Sequence, residues 1–138
     1  DDGRMDILTI GRRRFRNGQQ QHDKSYLQGS ALFLTDEPGE DPQELKSRCL
    51  HLFQDLYEST PGHMPAADLE TVSAETVSYY ISYYSDFSLT KKQSLLEIIS
   101  TEQRLIVVEE ALKELLLAQD DDRERLRILR GNGHFPHK

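Results

Sequence analysis

The chain of 138 residues has no tryptophan, a single cysteine and no long apolar run. A membrane-spanning helix needs roughly 18 to 20 consecutive apolar residues, and no stretch approaches that length. The opening residues are acidic, so the basic region that leads an export signal is missing as well. Cys49 alone cannot build an intrachain disulfide framework, and nothing argues for an oxidising compartment. Positive charge is scarce too. Seventeen Lys and Arg stand against 24 Asp and Glu, a net charge of -7, which disfavours nucleic acid or an anionic membrane as the principal partner. These absences lead to the expectation of a soluble, cytoplasmic protein with no membrane and no nucleic acid as partner. Its 36% hydrophobic content suits one ordinary domain with a modest core.

Chemistry is equally sparse. No G-x-x-x-x-G-K-[ST] follows a strand to cradle phosphates, and no glycine-rich turn opens a helix at dinucleotide spacing. Ser88 and Ser94 lie near Lys91 and Lys92, but nothing nearby would activate them as a nucleophile and base. Of His22, His51, His63, His134 and His137, only the last two are close, in the tail HFPHK, where a mobile terminus is the simpler reading than a metal pair. Cys49 falls on the apolar stripe of a helix and reads as a small buried thiol. The expectation is therefore a non-enzyme with no catalytic residue, no cofactor and no metal.

What is present divides the chain at about residue 40. RMDILTIGRRRFR, from Arg4 to Arg16, has β-favouring composition, with Gly11 placed for a bulge and Asp2-Gly3 ahead of it resembling a hairpin turn. Asn17 to Lys24 is polar and reads as a loop. A second strand follows from Tyr26 to Leu34, and its continuous apolar end predicts cover on both faces. Two strands alone would leave open edges, so this portion reads as an incomplete β unit.

After the turn-rich stretch Thr35 to Glu40 the pattern becomes helical. Asp41, Pro42 and Glu44 form a start signal, and Leu45, Cys49, Leu52, Phe53 and Leu56 recur at helical spacing, which predicts a helix from Pro42 to Glu58. Ser59 to Asp68 is a loop. Ser73 caps a second helix across VSYYISYYSDF, while Thr90 with Gln93 and Ser100 with Gln103 predict a short helix and a long one. The last should run from Thr101 to Arg130, about 45 Å, with Gly131 as its stop and its far end projecting or fraying around Asp120 to Asp122. Leu105, Val108, Leu112, Leu115 and Leu116 make its core stripe, continued more weakly by Leu126.

Elements in this order resemble the Lon protease N-terminal substrate-binding domain family. Three stretches carry the resemblance: GRMDILTIGRRRFR, YLQGSALFLTDEP and FSLTKKQSLLEIISTEQRLIVVEEALKELL, the last with a Lys-Gln-Leu-Leu-Glu helix meeting a final helix through a capped break. The opening strands of that family's β half are missing ahead of Asp1. The resemblance implies an α+β fold, a short antiparallel β unit left from a PUA-like barrel half followed by a bundle of about four helices. The expected domains are residues 1–40 and 41–138. It also implies a non-catalytic module that binds unfolded or damaged polypeptide, the Lon-type Ser and Lys pair lying in another domain. A small-molecule or peptide pocket on the same fold is the alternative.

Candidate contacts come from apolar residues off the core stripes. Val77, Ile81 and Tyr84 share a face of the second helix, and Tyr79 and Tyr83 lie well away from it, as broad side chains with a polar tip. Ile106, Leu117 and Ile128 recur every eleven residues, a row framed by Glu110, Lys113 and Glu124 that suits a partner protein or a homo-oligomer. Arg12, Arg13, Arg14 and Arg16 surround Phe15. Alternate strand residues face opposite ways, so the four cannot form one patch for nucleic acid, and pairing with the acidic helical half is the expectation.

Overall fold

The computed structural model describes residues 5–37, 41–57 and 68–131, in the order β1 (Phe15–Gln21), β2 (Gln28–Phe33), α1 (Gln43–Tyr57), α2 (Ala74–Tyr84), α3 (Leu89–Glu97) and α4 (Thr101–Gly131). The Asp2-Gly3 turn, Glu58, most of the Ser59 to Asp68 loop, His63 and the tail histidines lie outside the described residues. The architecture is α+β, a two-stranded antiparallel sheet followed by a helical bundle. The chain divides into two compact units, Asp1–Asp36 and Glu37–Lys138.

In the β unit the strand falls later than composition suggested. Residues 5 to 14 form no strand, and Met5, Ile7, Leu8 and Ile10 are exposed, whereas β1 begins at Phe15 and runs on through Asn17 to Gln21, which read as a loop. The reason is pairing. A strand needs a neighbour to complete its ladder, and β2 meets the chain only from Phe15 onward, with Phe15 opposite Phe33, Arg16 opposite Leu32 and Asn17 opposite Ala31. The register then slips so that Gln20 faces Gly29, leaving Gly18 and Gln19 against Ser30 alone. The bulge is therefore at Gly18, not Gly11. A Cβ on Gly18 would run into the Ser30 hydroxyl, which would have to rotate aside to admit a side chain there. β2 is shorter than Tyr26 to Leu34, and its apolar end is uncovered, with Leu32 at 63% and Phe33 at 51% exposure.

The helical unit holds the core. Leu45, Cys49, Leu50, Phe53 and Leu56 of α1, Val77 and Ile81 of α2, Leu95 of α3, and Leu105, Val108, Ala111 and Leu112 of α4 are buried together. Full burial of an aliphatic side chain stabilises by about 1.5 to 3 kcal/mol, so this cluster dominates the unit. Leu50 is buried where the heptad-like reading favoured Leu52, which packs at the core's edge. At the start of α1 the Asp41 carboxylate accepts from the Gln43 side chain at 2.6 Å. Ser73 caps α2 through the Thr76 N–H, and Ser100 caps α4 through the Gln103 N–H. α3 differs: its cap is Ser88, two residues before Thr90 and directly after buried Phe87, and it accepts the Lys91 N–H.

α4 spans 31 residues, about 46 Å, and passes through Asp120 to Asp122 without fraying. From Asp120 to Leu129 every residue is exposed, including Leu126, which leaves the core stripe. Helix continues there because propagation from a packed end needs no new nucleus, and Asp120–Arg123, Asp122–Arg125 and Glu124–Arg127 pair at i,i+3.

Candidate recognition surface

The exit of α2 carries a run of touching rings. Phe53 meets Tyr57 at 4.8 Å and Tyr80 at 6.2 Å between centroids, Tyr80 meets Tyr84 at 4.6 Å, and Tyr84 meets Tyr83 at 4.9 Å in an edge-to-face arrangement. The run passes from the core to the surface. Phe53 is buried, Tyr80 half-buried, Tyr84 exposed at 43% and Tyr83 at 71%. Beside it Leu89 opens α3 at 85% exposure, and the Lys92 ammonium stands 5.9 Å from the Tyr83 ring.

A helix terminus leaves its last carbonyls unsatisfied, and here side chains from two other helices fill them. Tyr57 Oη donates to the Tyr84 carbonyl at 2.8 Å, and Lys92 Nζ donates to the Tyr83 carbonyl at 2.8 Å. Ser85 N–H closes the helix on the Ile81 carbonyl. The open tyrosines thus stand on a fastened backbone.

Elsewhere in the helical unit are two buried cations that pattern reasoning passed over. Arg104 has no exposure; its Nε donates to Ser78 Oγ at 2.8 Å, its Nη1 to the Ile98 carbonyl at 2.6 Å and its Nη2 to Thr101 Oγ1 at 3.2 Å. Its guanidinium lies 4.0 Å from the Tyr79 ring, so Tyr79 is half-buried and belongs to this inner layer. Lys46 Nζ holds the Glu70 and Val72 carbonyls at 2.8 and 2.7 Å and pins the approach to α2. Both cations occupy apolar register positions, Arg104 four residues before Val108 and Lys46 three before Cys49. That placement was the available signal.

The nominated contacts therefore separate. Tyr83, Leu117 and Ile128 are exposed, whereas Tyr79 and Ile106 are half-buried, Ile106 packing against the core. Leu117 and Ile128 lie along the projecting part of α4.

Among the described residues, the reactive groups singled out from the sequence are engaged in structural bonds. Cys49 is fully buried, its thiol donating to the Leu105 carbonyl at 3.5 Å, and burial followed by the nearby Glu109 charge pushes its pKa up to about 12. Glu109 accepts from Arg48 and Lys113 at 3.1 and 3.0 Å, bonds that hold its carboxyl below the usual range. Ser88 Oγ caps α3 and Ser94 Oγ donates to the Lys91 carbonyl, local bonds that occupy both hydroxyls. Among the described residues no group of three His, Cys, Asp or Glu could hold a metal ion, and no helix is long and apolar enough to cross a membrane.

Within the β unit, Arg14 pairs with Asp36 and Arg13 lies 4.1 Å over the Phe33 ring, while Arg12 and Arg16 are exposed. Two of the four arginines thus find partners inside their own unit. A shallow hollow of about 190 Å³ opens on the hairpin, lined by Phe15, Leu27, Gly29 and Ala31 among others.

Residues 1–114 match the family model described as the ATP-dependent protease La (LON) substrate-binding domain. No curated protein matches the chain.

Proposed function

The chain belongs to the Lon substrate-binding domain family, and on that premise we propose that it recognises unfolded or damaged polypeptide through exposed apolar surface. It does so without chemistry of its own, in the cytoplasm, presenting captured clients to proteolytic machinery. The observation that supports this reading is the open step of Tyr83, Tyr84 and Leu89 on a helix end whose carbonyls are already bonded. Tyrosine offers wide apolar area and a polar tip at little entropic cost, and a pre-ordered site loses less freedom on binding. Lys92 supplies a cationic rim. Leu117 and Ile128 offer further exposed apolar side chains on α4, while Tyr79 and Ile106 are half-buried and take a lesser part.

Fluorescence anisotropy with a reduced, carboxymethylated model protein tests the reading. The chain should bind it, and the pair Tyr83→Ala with Leu89→Ala should weaken binding by about ten-fold with little change in melting temperature, because both residues are exposed. Absence of binding by the unaltered chain would refute the function. Binding that ignores the double substitution would move the surface elsewhere.

A further inference from the structure

The family match ends at residue 114, and α4 continues to Gly131 with every residue from Asp120 to Leu129 exposed. We infer that this projecting end is a self-association element, binding a second copy of the chain antiparallel along the row Ala118, Asp122, Arg125 and Leu129. The inference stands apart from polypeptide recognition and uses different residues.

The spacing of that row, four, three and four residues, keeps it on one helix face. Two copies related by a two-fold axis near the midpoint of the row meet reciprocally: Leu129 covers Ala118 of the other copy, and Asp122 faces Arg125 of the other copy, each contact occurring twice. Small meets large at the ends, and opposite charges meet in the middle. The neighbouring row, Leu117, Asp121, Glu124 and Ile128, has the same spacing and an apolar residue at each end. Paired antiparallel, however, it sets Asp121 against Glu124 of the second copy, acid on acid. Charge complementarity selects the first row and rejects the second.

The axial charge pattern agrees. Asp120 to Asp122 form an acidic turn, and Arg123, Arg125, Arg127 and Arg130 follow with Glu124 the one acidic residue between them. A parallel in-register pair would stack like charge on like; an antiparallel pair sets each acidic turn beside the other copy's basic stretch. Asp122 and Arg125 are 75% and 77% exposed, and the bridge between them within one helix spans 4.0 Å, a weak contact that exchanges for an intermolecular one at little cost. About four turns of helix make a small interface, so the dimer should be weak and reversible.

Sedimentation equilibrium of the full chain across micromolar to millimolar concentrations, with paired charge reversals, tests the inference. The unaltered chain should pass from 16.0 kDa toward twice that mass. Asp122→Arg alone and Arg125→Asp alone should each weaken association by about ten-fold, and the double reversal should restore it. Circular dichroism checks that the helix persists in each variant. A chain monomeric at every concentration overturns the inference, as does association that either single reversal leaves unchanged or that the double reversal fails to recover.

Discussion

Arg104 divides its guanidinium among the Ser78 hydroxyl, the Ile98 carbonyl and the Thr101 hydroxyl, and covers the Tyr79 ring, so one side chain ties α2 to the break before α4. Arg104→Met keeps the apolar stem but strips these acceptors of their donor; it should lower stability by about 3 kcal/mol in urea denaturation. Arg104→Lys should recover only part, since a single ammonium cannot reach in three directions. An unchanged midpoint for the Met variant would show that stacking alone does the work. Cys49 yields a prediction in pH. Its pKa rises from an ordinary value of about 9 to about 12 on folding, so its contribution is complete below about 9 and is lost as pH climbs from there toward 12. The urea midpoint should therefore fall between pH 9 and pH 11 more steeply in the unaltered protein than in Cys49→Ala. The remaining slope belongs to groups such as Tyr57 and Tyr80, whose pKa values burial also raises. Parallel slopes would show that the thiol is not the titrating group.

Among the elements, local chemistry was legible where a side chain acts on its own backbone. Ser73 and Ser100 cap the helices that their spacing announced. Thr90 failed because a cap is chosen by where the core holds the chain, and buried Phe87 makes Ser88 the first residue free to turn. Ser88→Ala should thus cost about 1 kcal/mol of stability and Thr90→Ala no more than a few tenths. Chemical denaturation giving the reverse order would return the cap to Thr90. The strands were less legible. Apolar, β-favouring residues 5 to 10 form no strand, while polar Asn17 to Gln21 does, because strand formation depends on a partner that lies elsewhere in the chain.

Across the whole molecule, stability is uneven. Among the described residues, the buried hydrophobic side chains fall between Leu45 and Leu112, whereas β1 and β2 are exposed along nearly their whole length. Residues 37–138 produced alone should therefore melt cooperatively, within a few degrees of the full chain by circular dichroism; loss of that transition would show that the first 36 residues are needed for the core. The sequence by itself determined the α+β order, the helical caps at Ser73 and Ser100 and the apolar stripe of α4, because each depends on residues within a few positions of one another. Only the tertiary structure decided the β register with its bulge at Gly18, the burial of Arg104 and Lys46, and which tyrosines reach solvent. Those outcomes depend on which distant segment supplies the missing hydrogen bond or covers the exposed ring, and sequence spacing carries no record of it.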